Sequence, residues 1–202
     1  MRLTVLAVVA SMVLALALGG RPRHVAAERL RWPALLVGAL ALYWLPSLLD
    51  PAPPADVVLV ALGYATLLAF VAVNLRLVGM PVVLVGLCLN TAVIAANQNM
   101  PVDARAVVVA GLARPEELGS LGLGPARRLL DPTDRLAVLG DVVPVPGLRE
   151  VVSFGDLILA AGLANVTFRL LYPAGQRSAR PAGAGRSPER GHQLGPVTSA
   201  AR

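Results

Sequence analysis

The chain has no lysine, a single cysteine and few aromatic residues. The scarcity of cysteine and of aromatic residues excludes particular kinds of site. Because Cys88 has no second thiol, it forms neither an intramolecular disulfide nor a cysteine-rich metal site. Aromatic residues are 4% of the sequence and none alternates with arginines in a basic patch, so the pI of about 10.9 does not indicate nucleic-acid binding. His24 and His192 lack partners at metal-ligand spacing, and we expect no metal and no cofactor.

Charge is also scarce, and this sets the class of protein. Charged residues are 15% of the 202 residues, hydrophobic residues are 56%, and the mean hydropathy is +0.68. Such a composition is too apolar for an ordinary soluble domain. The sequence therefore predicts an all-α integral membrane protein with the lipid bilayer as its main partner.

Long apolar runs predict about five transmembrane helices. Some 20 residues at about 1.5 Å of rise each cross the roughly 30 Å of a bilayer's hydrocarbon core. The first apolar run has two interpretations, a cleaved signal peptide or a retained helix, and the arginines that follow it favour the helix. The predicted spans are residues 3–18, 32–49, 57–73, 78–96 and 156–172.

The distribution of arginine predicts the orientation. Arginines cluster at residues 21–31 and again in a tail at residues 174–202, whereas the loop at residues 50–56 has two acids and no arginine. Because arginine-rich segments stay in the cytoplasm, we expect the N-terminus outside and the C-terminus inside. Residues 1–173 are then the membrane domain, with an extracytoplasmic loop at residues 97–154. The tail is predicted to be disordered, basic and able to contact anionic lipid.

The long loop carries signals for short helices and one extended segment. Asp103 is placed to cap an apolar turn, and Pro115 followed by two glutamates is typical of a first helical turn. Asp131 and Asp134 bracket a proline in the pattern of another helix start. The prolines at residues 142–147 favour extended backbone.

A few polar side chains lie where hydrocarbon would leave them without partners, and they form the candidate site. We expect Ser153 to cap the last helix with Asp156 at its third position. Asn90 and Asn165 lie about 9 and 13 Å below the outer boundary, so we predict a hydrogen bond between them across adjacent helices. The candidate shared polar site comprises Asn90, Asn97, Asp141, Ser153, Asp156 and Asn165.

Three motifs carry a resemblance to a known family. They are Asn90 to Asn97 leading into Met100-Pro-Val, then Leu139-Gly-Asp-Val-Val-Pro144, and then Ser153-Phe-Gly-Asp156. Over about residues 1–172 the chain resembles an uncharacterised bacterial membrane family, domain of unknown function 5317. The resemblance implies a multi-pass architecture and assigns no activity.

Two functions of different classes agree with these observations. The first is a non-enzymatic membrane protein whose loop folds as a cap on the helices and contacts another membrane or envelope protein. The second is a small-solute transporter or binding protein, with Asn90, Asn97 and Asn165 along a polar path. We expect the first, because no charged residue lies mid-span. A remote third interpretation, an intramembrane aspartyl-type hydrolase, rests on Gly140-Asp141 and Gly155-Asp156, each without the first glycine of that motif.

Overall fold

The computed structural model describes residues 2–22, 30–49, 55–124 and 126–172. These ranges cover most of the predicted membrane domain at residues 1–173. The predicted disordered tail, most of the loop at residues 50–56 and the middle of the first arginine cluster lie outside them.

Five apolar helices form a bundle in which most neighbours along the chain are antiparallel. Helix α2 packs on α3, α3 on α4, α4 on α6, and α6 on α1. Helices α1 and α6 run in the same direction, since the backbone N–H of Arg21 donates to the Leu171 carbonyl where both helices end (2.9 Å). The bundle helices are α1 (Arg2–Ala17), α2 (Pro33–Leu49), α3 (Ala55–Val73), α4 (Met80–Asn97) and α6 (Phe154–Leu171).

The number of candidate membrane spans in the described part of the chain is three, and the prediction of about five is corrected. Helices α3, α4 and α6 have 19, 18 and 18 residues and are long and apolar enough to cross a membrane. Helices α1 and α2 are also apolar but have 16 and 17 residues. At about 1.5 Å per residue they rise only about 24–26 Å, short of a roughly 30 Å hydrocarbon core. The sequence pattern located these two helices but overstated what their length allows.

Helices α4 and α6 approach closely because glycines face each other across their interface. A Cβ at Gly86 would lie 2.6 Å from the carbonyl oxygen of Gly155, and one at Gly162 would lie 2.7 Å from the backbone nitrogen of Val83. Gly155 and Gly162 are seven residues apart, which is about two turns, so both lie on one face of α6. Small residues of this kind let helix backbones touch.

Residues 98–153, called the cap from here on, fold over the end of the bundle where α4 ends and α6 begins. They contain the short helix α5 (Ala104–Val109) and two separate two-stranded sheets, one parallel and one antiparallel. The all-α prediction missed these strands. The pairs are β1 (Met100–Val102) with β2 (Arg127–Leu129), and β3 (Val143–Val145) with β4 (Glu150–Val152).

The capping signals in this segment have mixed outcomes. The Asp103 carboxylate accepts hydrogen bonds from the backbone N–H groups of Arg105 and Ala106 at the start of α5, as predicted. A 3₁₀ helix, Pro115–Ser120, begins at the predicted proline. The predicted helix start at Asp131 is wrong: Asp131 and Asp134 form a turn, in which Thr133 donates to the Asp131 carboxylate.

The two ends of the bundle differ in charge. At the end opposite the cap, the described residues include four arginines and no acid. All nine described carboxylates lie at the cap end, together with seven arginines. The arginines of the opposite end are Arg21, Arg31, Arg76 and Arg169.

Candidate functional site

Three predicted site residues form one buried network between α4 and α6. Asn90 Nδ2 donates to Asp156 Oδ1 (2.7 Å), and Ser153 Oγ donates to Asn90 Oδ1 (2.8 Å). The backbone N–H of Asp156 donates to Ser153 Oγ (2.9 Å), and that of Ser153 donates to Asp156 Oδ2 (3.3 Å). The predicted capping box is confirmed. The side chains of this capping box also bond the Asn90 amide, so the hydrogen-bonding groups of a side chain that is only 3% exposed have partners.

Asn165 lies apart from this network, and the predicted Asn90–Asn165 hydrogen bond is wrong. Its side chain is exposed on the outer face of α6, where Oδ1 accepts from Arg169 Nε (3.0 Å). Asn165 follows Asp156 by nine residues, which is about two and a half turns. It therefore points away from the helix face that contacts α4.

Asn97 connects the bundle to the cap and does not join the other site residues. Its Nδ2 donates to the carbonyls of Val93 (3.0 Å) and Arg135 (2.7 Å), and its Oδ1 accepts from the Arg135 backbone N–H (2.9 Å). Through these hydrogen bonds the Asn97 side chain attaches the Arg135 backbone of the cap to the end of α4. The polar path through Asn90, Asn97 and Asn165 is therefore not formed.

Asp141 is a buried carboxylate held against an arginine. Its backbone is fixed by a bond from its N–H to the Pro101 carbonyl and one from the Asp103 N–H to its own carbonyl, both 2.9 Å. Arg127 Nε lies 3.1 Å from Oδ2, but within the described residues neither carboxylate oxygen receives a well-aligned hydrogen bond. Charge attraction is therefore the main compensation for its burial.

Burial and the neighbouring charge act in opposite directions on this pair. Burial raises the pKa of Asp141 to about 7, against the lowering effect of Arg127. Burial is the largest effect on Arg127 and acts to lower its pKa, but attraction to Asp141, together with smaller contributions from Asp156 and two tyrosines, raises that pKa overall. The guanidinium thus stays charged, and the carboxyl group is the member of the pair that titrates near neutral pH.

Two cavities adjoin the Arg127 side chain. The first, the inner cavity, has a volume of about 140 Å³ and lies at the cap end of the bundle. The second, the outer chamber, has a volume of about 260 Å³ and lies between the start of α1 and the cap. Polar residues that line the inner cavity include Tyr43, Tyr64, Asn90, Arg127, Glu150 and Asp156.

The outer chamber is lined by charged residues from several segments. Glu150 accepts hydrogen bonds from the backbone N–H groups of Arg2 (3.0 Å) and Leu3 (2.8 Å), so a carboxylate of the cap satisfies the first turn of α1. Arg2 and Arg149 line the chamber beside Arg127, Asp141 and Glu150.

Sequence reasoning missed Arg127, Arg149 and Glu150 as site residues. Each lies in the nearly neutral loop, where it resembles an ordinary solvated charge. Only the folded chain reveals that the cap brings them to the start of α1. The described residues contain no group of three or more histidine, cysteine or acidic side chains that could hold a metal ion.

A bundle of apolar helices closed at one end by a folded cap, with charged groups at the junction, defines a capped helical protein in which three described helices are long and apolar enough to cross a membrane. Comparison with protein families places this chain: it belongs to the family described as "Family of unknown function (DUF5317)", whose model matches residues 28–168. Comparison with curated proteins and with solved structures finds no match. The predicted family is thus confirmed, and the matched residues include both the Asn90 network and the Arg127–Asp141 pair.

Proposed function

We propose that the protein is a non-enzymatic integral membrane protein of the cell envelope whose cap is an extracytoplasmic binding module. The observation that carries this proposal is the charge difference between the two ends of the bundle. Four arginines without a described acid are typical of cytoplasmic helix ends, and an end with both signs of charge is typical of the opposite side.

The outer surface of the bundle supports a location in lipid. Large apolar side chains point away from the protein, for example Leu48, which is 79% exposed. Helices α3, α4 and α6 are the spans in this proposal. The shorter α1 and α2 pack beside them, α1 on α6 and α2 on α3.

The partners of the two aspartates favour binding over catalysis. An aspartyl hydrolase needs two carboxyl groups that share one proton. Asp156 accepts from Asn90 and Ser153, whereas Asp141 lies against Arg127. No hydrogen bond joins Asp141 to Asp156 in the described part of the chain.

Single-cysteine labelling tests the orientation. Cys88 is replaced by alanine, and cysteine is introduced at Gly119 of the cap or at Arg76 of the opposite end. A Cβ at Gly119 meets no atom within 4 Å, so the change is sterically tolerated. We expect a membrane-impermeant maleimide to label position 119 in intact cells and position 76 only after permeabilisation. The reverse pattern, or release of the protein from membranes by carbonate, would refute the proposal.

A second candidate function, small-solute transport, is favoured by the inner cavity. It combines tyrosines with charged and amide groups in about 140 Å³, which suits a small polar solute. Uptake by vesicles containing the purified protein, measured against a panel of solutes, tests this function. Uptake that disappears in Tyr64→Phe, while the cap stays folded, would favour transport over binding alone.

A further inference from the structure

The outer chamber brings together three arginines from separate parts of the chain. Arg2 opens α1, Arg127 lies on β2, and Arg149 precedes β4. Arg2 Nη1 donates to the Leu148 carbonyl (2.9 Å), and Arg149 Nε donates to the Gly111 carbonyl (3.1 Å). Within the described residues, these bonds and the contact of Arg127 Nε with Asp141 leave the other five Nη nitrogens of the three side chains without a protein partner. The chamber therefore presents guanidinium N–H groups that can donate hydrogen bonds to a ligand with acceptor atoms.

The same chamber contains an acceptor that lacks a donor. Asp141 lines it, its side chain is 1% exposed, and neither carboxylate oxygen receives a hydrogen bond in the described part of the chain. Buried carboxylate oxygens usually accept a hydrogen bond, so the two oxygens of Asp141 are an exception that indicates a binding position for a ligand with a donor group. Glu150 does not play this role, because its two oxygens accept from the first turn of α1.

A ligand that fits must accept hydrogen bonds from arginine and donate one to a carboxylate. The charges of the chamber also favour an anion, since three arginines outnumber Asp141 and Glu150 by one. Arginine binds oxyanions by paired N–H donors. Sulfate and phosphodiesters have no proton to donate near neutral pH. Hydrogen phosphate keeps one P–OH group far above neutral pH, whereas a phosphomonoester loses its only P–OH proton at its second pKa, near 6.

We propose that the outer chamber binds inorganic phosphate as hydrogen phosphate, whose P–OH group still carries a proton. The arginines donate hydrogen bonds to its charged oxygens, and Asp141 accepts the hydrogen bond from its P–OH group. This inference rests on the proposed binding role of the cap and names its ligand class.

The test measures binding of inorganic phosphate and of sulfate to the purified full-length protein by calorimetry in a phosphate-free buffer. About pH 8 is suitable, because Asp141 is then mostly ionised and hydrogen phosphate keeps one proton. We expect phosphate to bind at least about tenfold more tightly than sulfate, since a site built to accept a hydrogen bond rejects an analogue that lacks the donor. Equal binding of the two anions, or no binding of phosphate, would overturn the proposal.

Two variants separate the roles of the residues. Asp141→Asn supplies an amide donor, so sulfate should bind about as tightly as phosphate. Arg149→Gln should weaken both anions about tenfold, whereas Arg105→Gln, a change on α5 outside the chamber, should leave both unchanged. Unchanged binding in Arg149→Gln would refute the assignment even if Asp141→Asn does not fold.

Lipid competition tests whether the proton is needed. A short-chain phosphatidic acid is a monoester that has mostly lost its P–OH proton at about pH 8, and the matching phosphatidylglycerol is a diester. Phosphatidic acid should therefore bind more weakly than inorganic phosphate, and binding at least as tight would overturn the proposal. Competition by the diester at equal concentration would contradict the need for a proton. Failure of phosphate binding in protein whose cap is labelled from outside would reject this inference and leave the topology proposal intact.

Discussion

Asn90 and Asp156 are joined by a 2.7 Å hydrogen bond that connects the cap end of α4 to the first turn of α6. The bond forms directly above the close contact of Gly86 with Gly155, so the polar network and the glycine interface depend on each other. A Cβ at Gly155 would collide with Asn90 Oδ1. The register of the two helices is thus fixed by shape and by hydrogen bonding at the same level.

Replacing Asn90 tests the energetic importance of this network. Asn90→Leu leaves the buried Ser153 hydroxyl without its acceptor and Asp156 Oδ1 without its side-chain donor. We expect a loss of about 1–3 kcal/mol in the free energy of unfolding, measured by denaturation in detergent. Asn165→Leu is the matched control, because its amide is exposed, and should change stability by less than about 0.5 kcal/mol. Equal losses in the two variants would contradict the network.

The glycine interface gives a second prediction. Gly86→Ala would place a methyl group 2.7 Å from the Leu159 backbone nitrogen, which has no freedom to rotate away. Overpacking of this kind should destabilise the protein by about 1–3 kcal/mol. Gly38→Ala on α2 is the control, because a Cβ there meets nothing within 4 Å and alanine favours a helix by about 0.5–1 kcal/mol. Melting temperatures in detergent should therefore move in opposite directions.

The buried Asp141 makes stability depend on pH. Its pKa is about 7 in the folded protein and 3.8 as the reference value, so the folded state binds the proton more tightly than the unfolded chain. Stability from this group is complete below about pH 4 and is lost as pH rises through about 7. We expect the protein to be less stable at pH 8 than at pH 5, by at most about 3 kcal/mol from this group.

Asp141→Asn isolates that contribution. The amide is neutral at every pH, so the difference in melting temperature between pH 5 and pH 8 should shrink. Asp103→Asn is the control, since asparagine also caps a helix and the side chain lies outside the Arg127 pair. A pH dependence that persists undiminished in Asp141→Asn would show that another group causes it.

Asn97 is predicted to hold one edge of the cap to the bundle. Asn97→Ala removes both bonds to the Arg135 backbone, and hydrogen exchange should become faster in a peptide that covers residues 131–140. Exchange in α6 should stay unchanged, because no bond of Asn97 reaches that helix. Thr66→Val, which removes a hydroxyl bonded only within its own helix, is the control. Unaltered exchange at residues 131–140 would show that other contacts hold this edge.

Local signals in the sequence predicted helix starts well, and distances across the fold poorly. Ser153 and Asp156 form the expected capping box because such a motif acts within four residues. The Asn90–Asn165 bond failed because depth in the membrane was considered without the angle around the helix. The 100° turn per residue already places Asn165 opposite Asp156.

The contacts between the cap and the bundle could not be predicted from the sequence. Pairing of β1 with β2 joins three-residue segments about 27 positions apart, and such short strands carry no periodicity. The meeting of Glu150 with Arg2 requires the whole bundle to be assembled first. An arginine or glutamate in a loop has no local feature that separates a site residue from a solvated one.

The parallel packing of α1 against α6 has a consequence for synthesis. Helix α1 has its main partner in α6, the last helix that the structure describes, and the carboxylate that completes its first turn, Glu150, also lies far along the sequence. Contacts of such sequence separation form late, because the intervening chain must be closed first. Until Glu150 and α6 have been made, α1 lacks the acceptor for its leading amides and its main packing partner among the described helices. An unfinished chain therefore keeps the apolar surface of α1 available to chaperones.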